Sequence, residues 1–439
     1  MIKAILIWAA FFVANCSCVF GQQYNVLYAF GAKGFLSTGG SIDGATPNQG
    51  LVSDSSGNLY GTTEEGGSVP CATGYGCGTV FELSPLTGGG WEQTVLFNFC
   101  TSTSNPKTCS EGAYPESSLL IDKKGNLYGG TNQGGIGYGV VFELSPPSVQ
   151  GGSWTQAVLF TASDVNAGLY PDSQLIIDGK GNLYGTNGAG GILGGGNVFE
   201  LSPPTAQGGP WTETILYTFC QVGPFCSDGQ SPAGGVVFDR EGNLYGATGL
   251  GGANSNGVVF ELSPSQSGEW TEAVLYTFSA SGQGGSLPDG SLTLDNAGNL
   301  YGVTFAGGIQ YKKYCDDWTK HCGAVFRLLK KANWKEQFFQ FHGFDGGVPQ
   351  ATPYLNETSG VVFGTTELGG TQALGTIYEI NGTSETVLYN FCSQANCADG
   401  AQPGSGGSLV NIGGKLYGTT WSGGGNGYGP GTVFEFTSQ

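Results

Sequence analysis

Two imidazoles, His321 and His342, are all that 439 residues offer for acid–base work near neutral pH. His321 adjoins Cys322. His342 stands three residues before Asp345, a spacing that permits a His–Asp dyad, although an ordinary loop histidine is the simpler expectation. No G-x-S-x-G nucleophile elbow and no H-E-x-x-H zinc motif occurs. Carboxylates are the richer source. A G-x-x-P signature recurs along the chain, and the residue before its glycine is Asp43, Glu111, Ala167, Asp228, Gly284, Asp345 or Asp399. Gathered in one place, Asp43, Glu111, Asp228, Asp345 and Asp399 would raise one another's pKa or hold a hard cation such as calcium. Taken singly, each would cap its own turn, and that is the favoured expectation.

Cysteine chemistry is the second candidate. Cys16 and Cys18 fall in the first segment of the chain, and the remaining ten form five close pairs. They are Cys71 with Cys77, Cys100 with Cys109, Cys220 with Cys226, Cys315 with Cys322, and Cys392 with Cys397. An even count in an exported chain argues for disulfides, and long cysteine-free stretches between the pairs favour local bridges. Zinc would want C-x₂-C spacing or more histidine, and the chain has neither.

Aromatic side chains are the third. Trp91, Trp154, Trp211, Trp270 and Trp334 recur at one equivalent position, so packing is their expected role. Tyr75, Tyr138, Phe305, Tyr311, Tyr314, Trp318, Trp421 and Tyr428 differ from repeat to repeat and fall in loops. Of these, Tyr311, Tyr314, Trp318, Trp421 and Tyr428 are the candidates for stacking on a sugar ring or a protein partner.

What positions these groups is a repeat. GNLYGTTEEGG (57–67) returns as GNLYGGTNQGG, GNLYGTNGAGG, GNLYGATGLGG, GNLYGVTFAGG, GVVFGTTELGG and KLYGTTWSGGG, with a period of about 60 residues. Each period carries four apolar runs. Run A, as in GGVVFD (234–239), leads through the turn DREGN into run B, NLYGAT (243–248). Asp and Gly make that turn a hairpin, one by accepting local backbone hydrogen bonds and the other by supplying a left-handed residue. Run C is GVVFELSP (257–264) and run D is WTEAVLYTF (270–278), both rich in β-branched and aromatic residues. Runs C and D are apolar on both alternation phases, so each sheet must be sandwiched between neighbours. Four short antiparallel strands, repeated and stacked, predict an all-β fold, a seven-bladed β-propeller.

The two ends predict its closure. The chain after residue 21 begins with a D run, YNVLYAF (24–30), and ends with a C run, GTVFEF (431–436). The seventh blade balances only when the N-terminal strand completes it, and closure removes an open sheet edge. Alternating strand direction then places B–C and D–A loops on one face, which receives all five cysteine pairs. A–B and C–D turns occupy the other. An enzymatic alternative, a metal-dependent lactonase or lyase, would have its site at the mouth of the channel. Near-identical blades argue against it, because catalysis needs several residue types converging at one point. The glycine pair after run B lacks the lysine and helix of a phosphate loop.

The cores GNLYGTT…GTVFELSP…WTETVLY and the G-x-x-P signature resemble the GloVer repeat of extracellular bacterial proteins, which often carry one of several alternative C-terminal anchors. The resemblance covers residues 24–439 and implies no activity. The chain departs from the anchored pattern by stopping at FTSQ without a hydrophobic tail or basic cluster, so free secretion is expected. The D-x-x-G-N-L-Y hairpin is also similar to NHL-type propeller repeats.

Residues 1–21 read as a secretory signal, with Lys3, an apolar stretch from Ala4 to Ala14 and cleavage after Gly21. Residues 22–439 are then one propeller, secreted to the extracellular space or periplasm and expected to be monomeric. A net charge of −18 excludes the cationic surface that nucleic acid or an anionic membrane requires. Seven of the fifteen Lys and Arg crowd into residues 311–344, where a drifted repeat is the simpler reading and a partner site the sharper one. The expected function is a binding or surface-interaction module for a glycan or protein, without an organic cofactor; a calcium ion is the cation the acidic positions would take.

Overall fold

Five of the seven blades are seeded by the D-x-x-G-N turn, whose aspartate uses both carboxylate oxygens locally. Asp239 Oδ1 accepts the amides of Glu241 and Asn243 at 2.9 Å each, and Oδ2 accepts Asn243 Nδ2 at 2.9 Å and the Tyr245 hydroxyl at 3.0 Å. Asp54, Asp122, Asp178 and Asp295 do the same. The computed structural model describes residues 22–438 apart from 70, 72–73, 102–104, 150, 164–167, 172, 207, 224, 280–283, 309–314, 316–320, 405 and 426–428. Residues 1–21, where a secretory signal is expected, therefore lie outside the described residues.

Seven antiparallel sheets follow the order A-B-C-D. In blade 4, strand A is broken into Gln230–Pro232 and Val237–Phe238, followed by B at Leu244–Leu250, C at Val258–Pro264 and D at Trp270–Thr277. The break lets four residues bulge toward the axis, where segments from all seven blades meet. Blade 7 is closed as the termini predict. Strand Gln23–Ala29 pairs antiparallel with Thr432–Thr437, from Gln23 opposite Thr437 to Ala29 opposite Thr432. Tyr24 then stacks on Tyr389 of blade 6 with ring centroids 4.0 Å apart.

No common centre holds the ring together. The core is instead seven apolar layers, one at each junction between neighbouring blades. The repeated tryptophans belong to these layers. Trp154 meets Tyr60, Trp334 meets Tyr245 and Trp91 meets Tyr417, each across a junction at 6.1–6.3 Å. The glycine of L-Y-G is required by close approach: a Cβ on Gly246 would lie 2.5 Å from Cζ of Phe260. Six blades place Phe on strand C against that glycine, and blade 6 places Tyr378 there. The Tyr378 hydroxyl is buried without a hydrogen-bond partner. Tyr378→Phe is therefore expected to stabilise the fold by about 1 kcal/mol. Urea unfolding checks this, and a loss of stability would refute it.

A second device joins the blades. The residue before the G-x-x-P proline is left-handed in every blade, at Thr46, Tyr114, Tyr170, Ser231, Leu287, Val348 and Gln402, with φ between 53° and 62°. Such a conformation costs a non-glycine residue about 1–2 kcal/mol. It persists because the amide then reaches the preceding blade, as in Ser231 to Gly195 O (2.8 Å), Leu287 to Asn256 O (3.0 Å) and Gln402 to Leu374 O (2.8 Å). The strain and the junction are one feature.

Candidate functional site

Five disulfides join the predicted partners: Cys71 to Cys77, Cys100 to Cys109, Cys220 to Cys226, Cys315 to Cys322, and Cys392 to Cys397. In the three D–A loops the second cysteine also fastens its loop to the glycine pair that follows strand B. The carbonyls of Cys109, Cys226 and Cys397 accept the amides of Gly135, Gly252 and Gly424 at 2.7, 2.8 and 2.9 Å. Further bridges tie D–A loops to B–C loops of their own blades, at Ala45 with Glu65, Leu169 with Ala189 and Gly347 with Leu368, so one face carries all the staples. Most exposed large apolar side chains also lie on that face, among them Phe35, Tyr75, Ile136, Ile192, Phe225 and Trp421.

The acidic positions do not form the ring that a channel-mouth metal site needs. Asp43, Asp228 and Asp399 are buried. Each accepts from a strand-D tyrosine and from amides of its own loop. Asp228 takes Tyr217 Oη at 3.1 Å and the Gln221 amide at 3.0 Å; Asp399 takes Tyr389 Oη at 2.7 Å and the Ser393 amide at 2.8 Å. Asp43 takes the Tyr28 hydroxyl at 2.5 Å and the Gly31 amide at 3.0 Å. Glu111 accepts the Thr101 amide at 2.8 Å. Asp345 does meet His342, its Oδ2 lying 2.8 Å from Nδ1, and it also accepts the His342 amide. Strand-D hydroxyls engage Asp43, Asp228 and Asp399, and none of the five acids lines the axial cavity. Among the described residues, three candidate metal-ligand atoms come within 4.8 Å of one another only at Cys71, Cys77 and Cys100, which are disulfide-bonded.

The axis carries different residues. A cavity of about 320 Å³ is lined from every blade, mostly by hydroxyls, amides and glycine, with Glu116 and Asp289 as its carboxylates. These acids occupy the position just after the signature proline, and the corresponding residues elsewhere are Asn48, Asp172, Ala233, Gln350 and Gly404. Asp172 lies outside the described residues. Burial pushes Asp289 up to about 6, an effect partly offset by the Gly290 amide. The sequence signal for this ring, the residue after the signature proline, is faint because only three of its seven positions are acidic.

Above the cavity, the residue that follows the L-Y-G-x-T core forms a rim. It is Glu64, Asn132, Gly188, Gly249, Phe305, Glu367 or Trp421 by blade. Asn132 Nδ2 donates to Glu116 Oε2 at 3.2 Å, which ties rim to axis. Trp421, 42% exposed, lines a pocket of about 300 Å³ with Glu367, Asn48 and Gln350, and the last two also line the cavity. Burial raises Glu64, with the adjacent Glu65 adding to the shift. Gly188 and Gly249 need no left-handed backbone, and a Cβ would meet nothing closer than 3.9 Å and 3.6 Å respectively. Their absent side chains leave the rim low on one side. There a groove of about 540 Å³ runs outward past Asn132 and Gly188 to Ile136, Tyr138 and Tyr170.

Of the predicted binding aromatics, Trp421 stands at this mouth; Tyr311, Tyr314, Trp318 and Tyr428 lie outside the described residues. The divergent basic segment is partly accounted for on the opposite face. Arg327 sits 3.7 Å from Asp295 and over the Tyr301 ring, and Lys330 reaches Asp239 at 3.9 Å. His321 Nδ1 lies 3.4 Å from Gly308 O.

Solved structures similar to the chain include a fungal alcohol oxidase of the AA5 family in complex with copper (13% identity, 95% of this chain and 76% of that one, TM-score 0.52). Two others are PorZ of Porphyromonas gingivalis, a bacterial surface component of the type-IX secretion system (12%, 89% and 46%, 0.48), and a luciferin-regenerating enzyme (12%, 95% and 96%, 0.40). The likeness is one of fold. No curated protein sequence matches the chain. Residues 101–315 match the Gloeobacter/Verrucomicrobia repeat. With the repeated cores, their seven blades and this match in hand, the chain is shown to carry the Gloeobacter/Verrucomicrobia repeat.

Proposed function

We propose that the protein is an extracellular carbohydrate-binding module whose ligand enters the mouth of the axis on the disulfide-bearing face. The observation that carries this reading is the rim. It varies from blade to blade inside a segment that is otherwise nearly constant, and at Asn132, Glu367 and Trp421 it adjoins residues that line a polar cavity. Sugars are recognised by an aromatic face for their C–H groups together with carboxylates and amides for their hydroxyls. Trp421, Glu367, Gln350 and Asn48 offer that set in one pocket. Five disulfides hold the surrounding loops in shape, each contributing roughly 2–3 kcal/mol on a chain-entropy basis. They also suit an extracellular or periplasmic setting. Among the described residues no helix is long and apolar enough to cross a membrane.

A glycan array on the full chain tests the reading. Trp421→Ala is expected to weaken any glycan hit by about tenfold or more while leaving the melting temperature within about 2 °C. Glycan binding indifferent to this change would remove the mouth from consideration. Binding to proteins but not to glycans would favour a scaffold role.

A further inference from the structure

The charge of the axial cavity narrows the ligand class. Among the described residues its lining includes Glu116 and Asp289 and no Lys or Arg, and the adjoining Trp421 pocket adds Glu367 and again no described basic residue. Asp289 sits at the bulge in strand Ser286–Leu294 of blade 5, where the pairing register shifts between Asp289 and Thr293. The bulge places Asp289, half-buried, in the lining of the cavity. There Oδ1 accepts the Gly290 amide at 2.8 Å, and no ion pair neutralises it among the described residues. The neighbouring hydroxyls are already committed to joining blades. Ser118 Oγ accepts the Gly50 amide at 3.0 Å, and Ser291 Oγ accepts the Gly235 amide at 2.8 Å. Charge recognition is left to the carboxylates.

A buried carboxylate without a counter-charge is costly, and a ligand cation placed beside it recovers that cost. A calcium ion would need six to eight oxygens at about 2.3–2.6 Å. The described acidic side chains nowhere bring three ligand atoms within 4.8 Å. An ammonium group asks for less, because its three donors can be shared between carboxylates and an occasional carbonyl or hydroxyl. The cavity, about 320 Å³, has room for one sugar-sized residue.

Resting on the carbohydrate reading above, we infer that the axial cavity receives the free amine of an amino sugar, held by Asp289 with Glu116, while the rest of the oligomer lies against Trp421. The ligand class is then a non-acetylated glucosamine oligomer. An N-acetylated one has lost its charge, and a neutral glucan has no amine.

Isothermal titration of the full chain with glucosamine tetramer, N-acetylglucosamine tetramer and cellotetraose separates these cases. The glucosamine tetramer is expected to bind roughly tenfold tighter than either neutral oligomer at low salt. Asp289→Asn is expected to erase that preference, bringing the glucosamine tetramer down to the affinity of the neutral oligomers. Glu116→Gln, whose amide keeps the shape of the carboxyl, should reduce the preference should the first variant fold poorly. Trp421→Ala should weaken all three ligands together. Equal affinity for the three oligomers, or a preference that survives both carboxylate changes, overturns the amine assignment and leaves the carbohydrate reading standing. Binding of none of them, with no other glycan bound on an array, sinks both.

Discussion

Changing Glu213, Glu272 and Glu385 together to glutamine is expected to stabilise the propeller at about pH 8 by roughly 3 kcal/mol, about 1 at each site. The reason lies in one repeated position near the start of strand D. Gln93 Nε2 there donates to the Asp43 carbonyl at 3.0 Å, Gln156 Nε2 to the Glu111 carbonyl at 3.1 Å, and Tyr24 Oη to the Asp399 carbonyl at 2.5 Å. Blades 3, 4 and 6 put glutamate at the same place, and one oxygen of each is buried without a partner. An ionised carboxylate can only accept, so it cannot make the donation that Gln93, Gln156 and Tyr24 make from this position. The carboxyl must keep its proton to fit.

Burial accordingly pushes Glu213 up to about 7 and, with Asp228 adding, Glu272 up to about 7, from an ordinary 4.5. Glu385 is raised too, first by burial and then by Asp345 beside it. For a carboxyl raised on folding, the stabilisation is complete below about 4.5 and drains away as pH climbs through the folded value. The wild type should thus lose stability from about pH 4.5 to about pH 7 and beyond, whereas the triple variant should change little there. The 1 kcal/mol per site already allows for partial exposure of these groups. Urea unfolding at both ends of the window decides it. A variant less stable than wild type at the alkaline end, or a slope that the substitutions leave intact, would show that the glutamates are not proton donors.

A larger effect is expected from removing residues 22–30. That deletes the strand paired along the whole of Thr432–Thr437, uncovers a sheet edge, and takes Phe30 and Tyr28 from one junction layer and Tyr24 from the next. Because the apolar layers are shared only between neighbours, two of seven are damaged at once. The shortened chain should lose its single cooperative melting transition and self-associate. A synthetic peptide of residues 22–31 added in excess should restore both properties in part. A shortened chain that stays monomeric and melts within about 2 °C of the parent would show that closure contributes little.

The ring was legible because its information is local and repeated. L-Y-G, F-E-L-S and D-x-x-G-N each name a strand or turn. The orphan runs YNVLYAF and GTVFEF could only be matched to one another, and Gln23 does lie opposite Thr437. The cysteine pairs were legible for the same reason, although the carbonyl bonds by which Cys109, Cys226 and Cys397 hold the neighbouring glycine pair were not. The site was hidden as well. Asp43, Asp228 and Asp399 carry an obvious acidic pattern, yet the hydroxyls of Tyr28, Tyr217 and Tyr389 claim them from strand D, a partner that lies before the loop. Asp289 and Glu116 stand one step beyond a proline, in a pattern diluted by Ala233 and Gly404, so nothing in the chain alone singled them out. The raised pKa of Glu272 was likewise hidden, since it depends on burial in the folded ring and on Asp228 from the loop before its own blade. Trp421 stands out in the sequence because it breaks a pattern.

The shared seventh blade also fixes which way the molecule looks. Gln23 and Thr437 sit side by side where strand C would turn into strand D, at the end opposite the stapled loops. Held by either end, or by both, the propeller would stand like a goblet on its foot, with the opening that Trp421 overlooks directed away from whatever holds it.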